Sequence, residues 1–94
     1  MANFKAALSS SARTFFTLKK WERAAIEFEK ILSEYGDDPL MFEQLSICYQ
    51  NMNLPQKERD CIEKALKFTS PIKIDKINIL TEKLKKFNRD VAQG

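Results

Sequence analysis

The tetrapeptide Glu29-Lys30-Ile31-Leu32 returns 34 residues later as Glu63-Lys64-Ala65-Leu66, and that interval constrains the fold more than any single residue does. The same offset of 34 pairs Leu8 with Phe42, Phe15 with Tyr49, Leu18 with Met52 and Phe28 with Ile62, so apolar positions fall on apolar positions along whole helices. A period of about 34 residues belongs to a helix-turn-helix unit stacked on itself as a solenoid. One such unit cannot bury its apolar face alone, so neighbours stack and leave a concave surface on which a partner is held.

Composition agrees with an all-α chain. The 94 residues contain only 2 glycines and 3 prolines but many Lys, Glu, Ala, Leu and Ile, which favour helix. A chain of this length holds one core, and residues 1–94 read as a single domain. No stretch approaches the roughly 20 apolar residues of a membrane span. The opening Met1-Ala2-Asn3-Phe4-Lys5 run lacks the apolar stretch of a signal peptide, and the expectation is a soluble, cytoplasmic protein. Cys48 and Cys61 stand without any histidine, so neither a metal site nor a cofactor is expected. Both fall in helices as small buried hydrophobes, with a disulfide between them as the alternative.

Prolines punctuate the chain. Pro39, Pro55 and Pro71 are spaced 16 apart, each at the start of an apolar-periodic segment, where the missing N–H costs a helix nothing. Asp38 and Ser70 precede two of them as N-caps, while Leu54 cannot cap and leaves its helix to Asn53 or to water. Gly36 suits a left-handed helix end. Five helices follow, over about 4–18, 21–35, 39–52, 55–68 and 71–89, joined by short loops that make neighbours antiparallel. In the second, Trp21, Ala24, Ala25, Phe28, Ile31 and Leu32 form the buried stripe and leave Glu22, Arg23, Glu27, Glu29 and Lys30 mostly outside. Ile62, Ala65 and Leu66 continue that stripe in the fourth, whose outer pairs are Arg59 with Glu63, Asp60 with Lys64 and Glu63 with Lys67. Phe4, Phe15, Trp21, Phe28 and Tyr49 read as core aromatics.

These residues resemble the tetratricopeptide repeat family, whose pattern runs W-x2-L-G-x2-Y, then A-x3-F, then P. Phe42, Leu45, Ser46 and Tyr49 stand at its Trp, Leu, Gly and Tyr positions, and Leu8, Ser11, Ala12 and Phe15 occupy the same places one unit earlier, followed by Ala24 and Phe28. Ala12 and Ser46 supply the small residue where two helices approach closely. Ser11 replaces the usual leucine, and Glu58 falls where the family has a small alanine, so either the helix is rotated there or the carboxylate reaches the edge. The resemblance implies repeat one over about 5–38, repeat two over about 39–70 and a capping helix over about 71–89: an antiparallel solenoid of five helices.

It also implies a groove lined by the first helix of each repeat. The inward positions are Ala6, Ser9, Arg13, Phe16 and Thr17, then Leu40, Glu43, Ile47, Gln50 and Asn51, of which Ser9, Arg13, Phe16, Leu40, Glu43, Ile47 and Gln50 are the candidate partner-binding residues. The subclass that clamps a terminal carboxylate uses inward Lys, Asn and Arg; the matching places hold Ser9, Arg13, Gln44, Ile74 and Asn78, so that clamp is absent. A protein partner's apolar segment or amphipathic helix suits Phe16, Leu40 and Ile47 better, and self-association is open to so short an array.

Charge offers a second site. Residues 1–70 carry ten Lys/Arg against ten Asp/Glu, whereas residues 71–94 carry six against three, so the net +3 lies wholly in the last segment. Ile77, Leu80, Leu84, Phe87 and Val91 make an apolar stripe beside Lys73, Lys76, Lys83, Lys85 and Lys86. That helix either caps the solenoid or, through Lys76, Lys83, Lys85 and Lys86, attaches to nucleic acid or an anionic membrane; capping is the preferred reading. With no histidine, no glycine-rich phosphate loop and no nucleophile with a base beside it, no catalytic residue is expected and the chain reads as a binding module, not an enzyme.

Overall fold

A computed structural model describes the backbone of residues 4–93 and the side chains of residues 4–87. Helix α1 covers Phe4–Thr17, α2 Trp21–Tyr35, α3 Pro39–Asn51, α4 Pro55–Phe68 and α5 Ile74–Gln93, with no strand among the described residues. The protein is all-α, and its helices pack as consecutive neighbours: α1 on α2, α2 on α3, α3 on α4 and α4 on α5. The result is elongated, 50 × 31 × 20 Å. No helix among the described residues is long and apolar enough to cross a membrane.

The 34-residue recurrence reappears in the backbone. After α1, Lys19 takes φ 60° while Lys20 N–H donates to the Phe15 carbonyl (2.8 Å) and Lys19 N–H to that of Phe16 (3.0 Å). After α3, Asn53 takes φ 58°, and the matching bonds run from Leu54 to Tyr49 (3.0 Å) and from Asn53 to Gln50 (3.2 Å). Each is a Schellman turn: a left-handed residue lets the chain reverse while otherwise orphaned carbonyls stay bonded. The next helix starts without a side-chain cap in both units, and Ala24 and Glu58 donate to the Lys20 and Leu54 carbonyls at 2.9 and 3.0 Å. Leu54 therefore has neither Asn53 nor any other side chain as its cap.

Other boundaries follow the residues. The Asp38 carboxylate accepts from Leu40 N–H (3.0 Å) and Met41 N–H (3.4 Å), capping α3 with Pro39 in its first turn. Gly36 has φ 95° and ψ 178°, not the left-handed helical geometry expected but a conformation that side chains bar. Pro71 does not begin the last helix, nor does Ser70 cap it. Those residues form a turn in which Lys73 N–H donates to the Ser70 carbonyl at 3.0 Å, and the helix starts at Ile74.

The core runs through α2, α3 and α4. Phe28, Ile31, Ile62 and Leu80 are fully buried, each contributing about 1.5–3 kcal/mol by leaving water. Ala12 and Ser46, the small residues of the two units, are buried too. Tyr49 lies in the core and Phe15 and Trp21 pack against it, whereas Phe4, the first residue of α1, is exposed. Leu18 is likewise exposed although its counterpart Met52 packs on the core. Glu27, expected outside, is half-buried, and its Oε2 has no hydrogen-bond partner among the described residues. Of the outer α4 pairs, Arg59 and Glu63 meet at 3.2 Å; the other two do not form. In α5, Leu80 is buried and Ile77, Leu84 and Phe87 are half-buried; Val91, with Arg89 and Asp90, lies outside the described side chains.

The left-handed residues differ in cost. A side chain longer than that of Asn pays a steric penalty there that glycine avoids. Lys19→Gly is expected to raise stability by about 1 kcal/mol and Asn53→Gly by less, read as an increase in the urea midpoint at unchanged slope. Equal effects at both sites would contradict the backbone described.

Candidate partner-binding groove

Leu40, Glu43, Ile47 and Gln50 follow one another along α3 at steps of three, four and three, which keeps them on one face. On α5, Lys76, Ile79, Lys83 and Lys86 repeat the same steps. Glu43 Oε1 accepts from Lys76 Nζ at 2.9 Å, with side chains 18% and 38% exposed, and so joins the two faces near the start of each helix. Two turns further on, Gln50 and Lys83 line a common recess. The α3 face and the basic α5 face, separate candidates in the sequence, thus meet at these two places and form the two walls of a candidate groove.

Its apolar residues lie mainly at the entrance. Leu40 is 54% exposed, and Ile72, Ile79 and Ile74 are exposed around Lys73, Asp75 and Lys76, which together line a shallow recess. Exposed apolar side chains gathered this way mark contact surfaces more than scattered ones do. Sequence reasoning named Ile74 only as a place where the carboxylate clamp is absent, and missed Ile72 and Ile79. The signal for Ile79 was the second stripe of α5, offset from its core stripe; Ile72 precedes that helix, and a start placed at Pro71 put it in a first turn.

Several expected residues lie elsewhere. Phe16 is not a lining side chain: its ring meets Trp21 edge-on at 5.3 Å and Phe28 at 6.3 Å, because the reversal at Lys19 folds the start of α2 back onto it. Ser9 is half-buried on α1, and Arg13 is exposed beside Thr14, Thr17 and Leu18, so neither shares a recess with the α3 residues. Lys85 points away from the other lysines, 63% exposed and 3.4 Å from Glu82. Ile47 is half-buried on α3.

The far end is bounded by three helices. Gln50 of α3, Glu58 of α4 and Lys83, Lys86 and Phe87 of α5 enclose about 360 Å³. Glu58 therefore neither rotates the helix out of register nor enters the core: its carboxylate reaches the edge. Partial burial pushes its carboxyl above the ordinary value of 4.5, and Lys83 and Lys86 pull it back. Behind α3 lies a second cleft, on the side opposite Leu40 and Ile47, with Leu45, Phe42 and Tyr49 at its floor. Lys64 and Lys57 lie over those two rings, 5.6 and 5.5 Å from their centres.

Both cysteines are buried free thiols. Burial pushes each up to about 11, Cys48 further raised by Cys61 and Cys61 partly relieved by Lys64. Among the described residues no three His, Cys, Asp or Glu side chains gather as a metal cluster. No family model matches the chain, and neither does a curated protein or a solved structure.

Two measurements check this geometry. At about pH 8 the native thiols are expected to resist a disulfide reagent that modifies the urea-unfolded chain at once, with modification tracking unfolding; fast native labelling would place a thiol at the surface. For Glu58 the sign is fixed by its raised value. Between its unfolded and folded pKa the native state holds the proton that the unfolded state has lost, so stability falls as pH rises through that window and then levels off. Relative to Glu58→Gln, the wild type is expected to lose stability from about pH 4 upward, and parallel curves would remove the argument.

Proposed function

We propose that the chain is a recognition module of the tetratricopeptide kind, two helix-turn-helix units closed by α5, that holds one segment of a protein partner in the groove between α3 and α5. It acts by binding, not catalysis, as a scaffold or a chaperone-like assembly factor in the cytoplasm. The observation that carries the reading is the Glu43–Lys76 bond, which draws the α3 and α5 faces together. The tetratricopeptide kinship is supported by the two Schellman turns 34 residues apart, Lys19 with Asn53, and by Ala12 and Ser46 at the equivalent buried crossings.

The segment suited to this groove is amphipathic. Leu40, Ile47 and Ile79 offer apolar contact along the length, and the lysines of α5 favour acidic residues beside it. Attachment to nucleic acid or an anionic membrane is the second reading. It fits less well, because Glu43 and Glu58 set carboxylates among the very lysines that phosphates would need.

Capture from native extract with the full chain, followed by titration of the purified partner, tests the proposal. Leu40→Glu with Ile47→Glu is expected to weaken binding at least about tenfold with helical content retained, and raising the salt is expected to change affinity only modestly. Retention of the same nucleic acids or lipids by both proteins, lost steeply with salt, would transfer the function to the lysines alone.

A further inference from the structure

The two ends of the groove differ in charge balance. At the entrance Lys76 has its counter-ion in Glu43, 2.9 Å away. At the far end Lys83 and Lys86 face one carboxylate, Glu58, and no carboxylate oxygen among the described residues comes within 4.0 Å of either ammonium group. Among the described residues, two cations against one anion leave a surplus of one positive charge in a recess walled by three helices. Gln50 adds an amide able to donate, and the Phe87 ring closes one side against water.

We propose that this recess takes the carboxylate of one Glu or Asp side chain on the partner's segment, held by Lys83 and Lys86 with Gln50 as amide donor, and that Glu58 limits the recess to a single negative charge. The inference deepens the groove reading and rests on it. A bound monoanion brings the recess to neutrality, two carboxylates against two ammonium groups. A phosphate, carrying about −1.5 to −2, overshoots that balance and meets Glu58 as a like charge. Glu58 is thus a specificity residue: it gives up attraction for any anion in exchange for discrimination against the more highly charged ones. Its partial burial on α4, against the pull of both lysines, places it where an incoming anion registers its charge.

The test uses the full chain and two small probes, monomethyl glutarate for an acidic side chain and methyl phosphate for a phosphate, titrated while the amides of Gln50, Glu58, Lys83 and Lys86 are followed by NMR. In the wild type, saturable shifts at these residues are expected with glutarate monoester, and weaker binding of methyl phosphate. Lys83→Ala with Lys86→Ala is expected to abolish both. Glu58→Gln is expected to tighten the monoester about threefold and methyl phosphate about tenfold, because the repulsion removed scales with ligand charge, and so to shift the preference about threefold toward the phosphate. Shifts that persist without the two lysines, or equal gains for both probes, overturn the proposal.

Partner titration separates this inference from the groove reading. If Leu40→Glu with Ile47→Glu releases the partner while the double lysine variant keeps it, the groove stands and the carboxylate subsite falls. If the groove variant keeps the partner, the groove reading falls, and with it the assignment of a partner side chain to this recess.

Discussion

Helix α3 is the constraint on which the remainder depends. Met41, Phe42, Leu45, Ser46, Cys48 and Tyr49 bury one broad face of it, roughly half the circumference, because it packs on α2 and α4 at once. A helix buried over one broad face keeps its other side for exposed and half-buried residues, Gln44 and Asn51 among them, and one strip of that side faces α5. That strip is Leu40, Glu43, Ile47 and Gln50, so the groove exists where the central helix has no neighbour of its own. Ser46 matters for the same reason: a larger side chain at this buried crossing would force helices apart and shift the strip that carries the groove.

The turns then fix what α3 can face. A Schellman reversal holds the end of one helix and the start of the next within a few residues, leaving little freedom in how the pair closes. Repeating it after α1 and α3 gives two similar hairpins. The connection into α5 is different. The turn at Ser70–Lys73 delays the helix by three residues, and with that delay Lys76 meets Glu43 and Lys83 reaches the recess beside Gln50.

Much of this was legible in the sequence. The interval between Glu29-Lys30-Ile31-Leu32 and its echo, the Asp38 cap, the small residues Ala12 and Ser46, and the Trp21-to-Leu32 stripe all depend on local chemistry or helical period, and both are written in adjacent residues. Three things were not. Phe16 has the spacing of a lining residue, yet aromatic packing with Trp21 and Phe28 takes it inward. A proline can open a helix or sit in the turn before it, and Pro71 does the second. Periodicity also assigns faces to each helix singly, whereas the pairing of Glu43 with Lys76 is a relation between helices 33 residues apart. Lys76 and Lys83 were therefore read as an alternative to the α3 face when they lie beside it.

Because each helix packs mainly on its neighbour in sequence, the chain closes only short loops as it assembles, and topology places it among fast folders. The same arrangement distributes stability unevenly, and an end helix can open without dismantling the middle. Helix α5 is such an end, held chiefly by α4, yet it supplies one wall of the groove. A segment bound between α3 and α5 therefore bridges elements that are not direct neighbours in the chain and acts as a staple on the terminal helix. On the proposed function, occupancy of the groove and resistance of α5 to local unfolding would be linked quantities, and a ligand would strengthen the fold at this end.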